Sequence, residues 1–402
     1  MVKLEHIHDA VQRIRDAICI SPCTRSQALS NSTSGSVFLK LENLQRTGAF
    51  KERGALNKLL MLSPEERQRS LIAASAGNHA QAVAYHSARV GVKAEIWMPL
   101  TTPLVKVSAT RNYGAEVVLH GTNFDEAFEA AQQRARDEHR TFIHPFDDET
   151  VIAGQGTVAL EMLEQVPDLQ VVVVPVGGGG LISGVAVALK EINPAIQVIG
   201  VQTCLVPSML KAIEAGRPVS ISGKPTVADG IAVRSVGELT FCLVRKYVDD
   251  ILLVDEEEIA NSVLLLLERE KTLAEGAGAT AVAAILNHKI AVEGKTVAAI
   301  VSGGNMDVTL LARIIEQGLV KDGRLVRLRI SLPDHPGALH RLTEVIAAHR
   351  VNIVETSYHR AFHGATLGHT VIDLTMETRG HEHSHGMITA LADAGYNHER
   401  IM

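Results

Sequence analysis

The residue best placed for covalent chemistry is Lys51, in the stretch Thr47-Gly48-Ala49-Phe50-Lys51-Glu52-Arg53-Gly54-Ala55. It stands where a glycine-containing loop runs into a helix-forming segment, and a lysine amine there can condense with an aldehyde to a Schiff base. A lysine in the first turn of a helix also serves as an ordinary solvated residue, its charge only mildly disfavoured by the helix dipole. Three further turns bear on the choice. Val176-Gly177-Gly178-Gly179-Gly180 follows an apolar strand and opens a helix. Its unobstructed N–H groups and the helix N-terminus can converge on a phosphate, whereas a merely permissive turn needs only one or two glycines. Neither the Walker loop nor the dinucleotide fingerprint is matched. Ser75-Ala76-Gly77-Asn78-His79 and Ser302-Gly303-Gly304-Asn305 likewise end apolar segments, the place where open α/β sheets bind ligands. Taken singly, each is equally consistent with a helix cap or a plain turn. One shared site explains all four more economically than four separate accidents.

The elements that must position these turns follow from periodicity. Residues 1 to about 35 read as a helix, then a turn at Ser21-Pro22 and a polar Ser/Asn/Gly loop. Val37 to Leu41 reads as a strand leading into the Lys51 loop. Strands at 71–74, 94–98, 116–119 and 141–143 alternate with helices near 78–90, 103–112 and 123–138, the pattern of a parallel sheet with crossover helices. A second series follows: helix 150–166, strand 171–174, helix 181–192, strands 198–201 and 251–254, helices 256–269 and 276–287, strand 297–301 and helix 307–319. The run Val171-Val172-Val173-Val174 is that of a strand covered on both faces. The fold class is therefore α/β with two lobes: a large one of about 1–45 and 151–320, and a small one of about 46–150. After a boundary near 321–324 the order becomes strand 325–332, helix 337–349, strand 352–359, a Gly364-containing turn, strand 369–376, helix 385–394 and a short last strand. That βαββαβ order over 324–402 is a ferredoxin-like unit.

Composition narrows the function classes. At 402 residues, with a formal net charge of -6 and no useful basic run, the chain has no electrostatic footprint for nucleic acid. No window approaches the ~18 apolar residues of a membrane span, and the N-terminus lacks the pattern of a secretory signal or transit peptide, so the cytoplasm is expected. Cys19, Cys23, Cys204 and Cys242 are too few for a disulfide framework. No second pair completes a zinc site with Cys19 and Cys23, so they read as thiols. His381, His383 and His385 at a loop-to-helix junction read as a polar cap, and no metal is expected.

With these motifs in hand, residues 5 to 320 resemble the fold type II pyridoxal-phosphate enzymes, most closely the threonine/serine dehydratases (threonine ammonia-lyases). The resemblance rests on Gly-Ala-Phe-Lys-Glu-Arg-Gly-Ala, Ser-Ala-Gly-Asn-His-Ala-Gln, Val-Ile-Ala-Gly-Gln-Gly-Thr at 151–157, Val-Gly-Gly-Gly-Gly-Leu, Ala-Asp-Gly at 228–230 and Ser-Gly-Gly-Asn. It implies pyridoxal 5'-phosphate as cofactor, with Lys51 holding its aldehyde and serving as base. It further implies Asn78 on the ring hydroxyl, Gly177, Gly178, Gly179 and Gly180 on the phosphate, Ser302 at the pyridine nitrogen, Phe50 packed on the ring and Ser75 at the substrate carboxylate. The implied reaction is β-elimination of L-threonine, and of L-serine, to a 2-oxo acid and ammonia. Two departures matter. The similar serine racemases carry a second serine where this chain has Ala76, and an alanine cannot return a proton. They also carry acidic cation ligands where this chain has Gln202 and Ser208, which argues against a divalent site and leaves a carbonyl-held monovalent ion open. Rival readings are a serine racemase or 3-hydroxyaspartate ammonia-lyase on the same scaffold, or an amino-acid sensor without turnover.

The C-terminal unit resembles an ACT domain, through its element order and Asp334-His335-Pro336-Gly337-Ala338-Leu339 at the first strand-to-helix turn. The resemblance implies an amino-acid effector at a paired interface, with a plain dimerisation module as the alternative. A homodimer or homotetramer follows by the same analogy.

Overall fold

The computed structural model describes residues 1–360 and 366–401, which form two compact units, Met1–Asp307 and Val308–Met402. The Gly364-containing turn lies outside the described residues.

The first unit holds two sheets. The strands in chain order are β1 (Cys23–Arg25), β2 (Ser36–Leu41), β3 (Leu71–Ala74), β4 (Ala94–Met98), β5 (Glu116–Leu119), β6 (Val171–Pro175), β7 (Gln197–Thr203), β8 (Asp250–Val254) and β9 (Thr296–Val301). The large sheet runs β1-β2-β9-β6-β7-β8, and the small one β3-β4-β5. All pairs are parallel except β1 with β2. Every residue of β6 is buried, as a strand covered on both faces by helices requires.

Two helices seat the Lys51 loop. Helix Lys51–Leu60 crosses helix Glu149–Gln165 at Gly54 and Gly154. A Cβ built on Gly154 would lie 2.6 Å from the Arg53 carbonyl oxygen, and one on Gly54 would lie 2.6 Å from that of Val151. Only glycine at both positions permits this approach. The crossing is reinforced by a buried ion network. Arg53 donates to both Glu42 oxygens (2.8 and 2.7 Å) and both Glu161 oxygens (2.6 and 2.9 Å). Lys40 of β2 donates to Glu161 (2.6 Å), the Ser21 carbonyl (2.6 Å) and Gln165 (3.0 Å). Burial alone would raise the Glu42 carboxyl, but Arg53 beside it holds it below the ordinary range. The network thus ties the large sheet, the Lys51 helix and helix Glu149–Gln165 together with paired charges.

The second unit contains β10 (Leu325–Pro333), helix Ala338–Ala348, β11 (Asn352–His359), β12 (His369–Glu377), helix His381–Asp393 and β13 (His398–Ile401). Its sheet order is β11-β12-β10-β13, antiparallel throughout. That is the ferredoxin-like arrangement expected from the element order. Val326, Leu328, Ile330 and Leu332 on one face of β10 pack with Ile372, Leu374 and Met387, the alternation of a sheet covered on one side.

Several sequence expectations change. Residues 141–143 make only an isolated bridge, Ile72 to Phe142, beside β3. The polar stretch after Pro22 contains β1 and a helix, Gln27–Thr33, started by Ser26, whose hydroxyl accepts from the Leu29 N–H. Its small polar side chains conceal a helix whose cap is its clearest signal. Helices Ser208–Ala215 and Glu238–Tyr247 fill a region the periodicity left unassigned. The last helix begins at His381 rather than 385, because His383 accepts from the Arg379 N–H (3.0 Å) through Nδ1 and bonds the His349 carbonyl (2.8 Å) through Nε2. Helix Val308–Lys321 falls within the second unit, where it packs against β10, so the compact units divide before it rather than near 321–324.

Candidate active site

The four turns noted in the sequence form a closed circuit at the carboxyl ends of the strands. Lys51 is the first residue of its helix, and its amine donates to the Pro145 carbonyl (2.8 Å). Phe146, next in the chain, lies against the tetraglycine: a Cβ on Gly178 would sit 2.4 Å from its ring, and one on Gly180 3.0 Å from its backbone. Gly177 faces Ile231, beside Asp229 and Gly230, and Gly230 lies against the carboxylate of Glu275. Glu275 accepts from Asn78 Nδ2 (2.6 Å). Asn305 Nδ2 donates to Asn78 Oδ1 (2.6 Å) and to the Thr47 carbonyl (2.8 Å), returning to the Lys51 loop. The loop is stitched to the Ser302 turn by Phe50 N–H to the Ser302 carbonyl (3.1 Å) and Gly304 N–H to the Gly48 carbonyl (2.8 Å).

The electrostatics single out Lys51. Burial pushes its pKa from 10.5 down to about 8, opposed by the charge of Glu275. A depressed amine is a better nucleophile and base near neutral pH than an ordinary lysine. Burial likewise raises Glu275 to about 7, with Asp229 adding to the rise and Asn78 opposing it. His79 is held neutral: burial, then the Lys51 charge, lower it to about 3. Its Nε2 bonds the Ile143 carbonyl (3.0 Å), which places the proton there and leaves the buried Nδ1 unpartnered. Burial lowers His144 to about 4. Its Nδ1 accepts from the Phe146 and Asp147 N–H groups (3.2 and 2.7 Å), which shapes the loop that Lys51 meets.

The remaining residues take these places. Gly179 adopts φ +93° as the residue before helix Gly180–Ile192, a conformation that favours glycine. Ser302 is buried at the end of β9. The Phe50 ring lies 5.1 Å from the Lys51 amine and packs on the large-lobe core. Ser75 follows β3, and its hydroxyl accepts from the Gly77 N–H (3.2 Å), so it turns back on its own loop. Lys106, in helix Leu104–Asn112, pairs with Asp229 (2.8 Å). Glu275, Pro145, His144 and Phe146 were not singled out from sequence. Glu275 sits in Leu-Ala-Glu-Gly-Ala-Gly-Ala, where it reads as a helix start.

An amine with no carboxylate bonded to it, held on the loop whose next residue packs against a glycine-lined helix N-terminus, suits a ligand that carries both an aldehyde and a phosphate. The family described as "Pyridoxal-phosphate dependent enzyme" matches residues 14–303. The chain belongs to this family. It is 49% identical over 396 residues to the L-threonine ammonia-lyase of Thermotoga maritima, covering 98% of each chain. Threonine deaminase isoform 2 of Solanum lycopersicum, in its processed form, superposes with a TM-score of 0.74 at 38% identity, over 78% of this chain and 92% of that one. Maize serine racemase superposes with a TM-score of 0.75 at 32% identity, over 80% of this chain and 98% of its own. The fold therefore does not by itself separate a lyase from a racemase. Among the described residues no group of three or more His, Cys, Asp or Glu is placed to hold a metal ion, and no helix is long and apolar enough to cross a membrane.

Proposed function

We propose that this pyridoxal-phosphate dependent enzyme is an L-threonine ammonia-lyase that also accepts L-serine. The observation that carries the reading is its similarity to the Thermotoga maritima L-threonine ammonia-lyase across 98% of both chains, which extends over the C-terminal unit. Lys51 supplies the chemistry on this chain's side. Its amine is buried, depressed to about 8 and bonded to a carbonyl instead of an acid, so once freed it can accept the α-proton of a bound amino acid. The cofactor, when bound, supplies an electron sink for the charge left on the α-carbon. Ser75 and its loop orient the substrate carboxylate. Asn78, Ser302 and Gly177 to Gly180 would hold the ring oxygen, ring nitrogen and phosphate of the cofactor, and Phe50 would pack beside its ring. A serine at the ring nitrogen can hydrogen bond but cannot stabilise a pyridinium as a carboxylate would, which favours prompt loss of the β-hydroxyl. The hydroxyl leaves as water, and water is regained as the product hydrolyses to a 2-oxo acid and ammonia.

Ala76 weighs against the racemase reading, since no hydroxyl stands there to return a proton. The C-terminal unit is read as an ACT regulatory domain that binds an amino-acid effector, within a cytoplasmic homodimer or homotetramer. Steady-state rates on threonine, serine and 3-hydroxyaspartate, with and without isoleucine and valine, test the reading. Threonine turning over to 2-oxobutanoate with the highest kcat/KM is expected. D-serine forming faster than pyruvate would overturn it.

A further inference from the structure

The carboxamide of Asn78 is held at both ends. Glu275 Oε1 takes one hydrogen of Nδ2 at 2.6 Å, and Asn305 Nδ2 donates to Oδ1 at 2.6 Å while also donating to the Thr47 carbonyl at 2.8 Å. A flipped amide would set its oxygen against the Glu275 carboxylate and its NH2 against the Asn305 NH2. The orientation is therefore fixed by both neighbours at once. Nδ2 has a second hydrogen, which Glu275 Oε1 does not consume.

Glu275 is oddly used for its position. It immediately precedes helix Gly276–Leu286, yet its side chain makes no capping bond. Its N–H instead bonds the Gly303 carbonyl (3.0 Å), and its carboxylate turns to Asn78. Room for that carboxylate is reserved by two glycines. A Cβ on Gly303 would lie 2.3 Å from Glu275 Oε1 and 3.0 Å from Asn78 Nδ2, and one on Gly230 would lie 3.4 Å from the same oxygen. Burying a carboxyl is costly, and this one could have been a short capping residue. Its burial, its orientation and the bare backbone around it converge on Asn78.

The geometry points to Glu275 and Asn305 as positioning residues that clamp the Asn78 carboxamide, so that the free Nδ2 hydrogen is presented to the ring oxygen of pyridoxal phosphate. The inference rests on the reading of Asn78 as the contact to that oxygen. Neither residue touches the reacting atoms; both act through Asn78.

The test is titration of the cofactor-free full-length chain with pyridoxal phosphate, followed by absorbance, in the parent, Asn78→Ala, Glu275→Ala, Glu275→Gln and Asn305→Ala. Thermal denaturation of each cofactor-free variant is read alongside. Loss of one hydrogen bond to a charged group corresponds to roughly tenfold or more in affinity. Asn78→Ala and Glu275→Ala are each expected to raise the Kd about tenfold and to move the absorption maximum. Glu275→Gln keeps an accepting oxygen and is expected to recover to within about threefold of the parent. Asn305→Ala is expected to weaken binding in the same direction. If Asn78→Ala binds as the parent does, the Asn78 reading fails and the clamp with it. An altered Asn78→Ala beside a parental Glu275→Ala overturns the clamp alone. Equal impairment of Glu275→Ala and Glu275→Gln assigns the effect to charge and also overturns it. Should Glu275→Ala fail to fold, Glu275→Gln and Asn305→Ala decide: parental affinity in Glu275→Gln with weakened affinity in Asn305→Ala supports the clamp, and parental affinity in Asn305→Ala overturns it.

Discussion

Lys40 and Lys51 are two enclosed amines on neighbouring segments, and their partners differ completely. Lys40 is fully buried and meets a carboxylate, a carbonyl and a side-chain amide at 2.6, 2.6 and 3.0 Å. Lys51 is half-buried as a residue, and its amine meets one backbone carbonyl at 2.8 Å. Arg53, two positions after Lys51, is buried against two carboxylates. Within a single helical turn, then, one cation is bonded by two carboxylates and the other by none, with Glu275 acting on it only through its charge. An amine paired with acids is pinned and charged. An amine buried without one is pushed towards its neutral, reactive form. The proposed catalytic amine is the one that no carboxylate bonds.

The comparison can be broken most sharply at Lys51. Lys51→Ala is expected to lower kcat by at least ~10³-fold, the scale of losing an essential base or nucleophile, and to abolish the absorbance band near the visible edge. The melting temperature of the cofactor-free protein should fall far less than in the ion-network variants below, because no carboxylate is hydrogen-bonded to the Lys51 amine. A full band in this variant would refute the assignment. The opposite behaviour is expected in the ion network. Arg53→Leu strands Glu42 and Glu161 and should cost about 3–5 kcal/mol of stability in urea titration. Lys40→Met should cost less, since Arg53 still holds Glu161. Equal effects from the two substitutions would mean that the network does not act through Arg53.

The smallest effect is a pH dependence that separates the two kinds of lysine. The folded pKa of Lys51 is lowered from 10.5 to about 8, so the folded state binds its proton less tightly than the unfolded one. Its burial penalty is complete below about pH 8 and fades between about 8 and 10.5, so this residue makes stability rise with pH across that window. The parent, compared with Lys51→Met by denaturation of the cofactor-free protein, should gain stability over that window while the variant does not. The rate of pyridoxal-phosphate capture should rise towards a plateau above about pH 8. A rate flat from pH 6 to 9 would contradict the depressed amine.

Much of this was legible in the chain because it is local. Strand β6 declares itself by four consecutive valines, and the ferredoxin-like unit by the order of its elements. Gly177 to Gly180 announce a helix N-terminus built of residues with no side chains of their own. What stayed hidden depends on partners distant in sequence. Glu275 looks like a residue at a helix start, and nothing near it foretells that its carboxylate turns to Asn78. His144 and Pro145 carry no motif, yet a ring nitrogen of one shapes the loop and the carbonyl of the other receives the Lys51 amine. Helix Gln27–Thr33 was missed because its serines and asparagine favour loops as readily as caps, and residues 141–143 were overread because one bridge beside β3 uses the same apolar residues as a strand.

The sequence by itself determined most of the α/β order, the glycine turns and the place of Lys51 where a loop runs into a helix, since periodicity and backbone freedom are properties of adjacent residues. Only the tertiary structure decided which cations would be neutralised. Whether Lys40, Lys51 or Arg53 faces an acid depends on what helix Glu149–Gln165 and the loop at Pro145 bring to each. Desolvation and charge act through space, and the fold alone sets those distances.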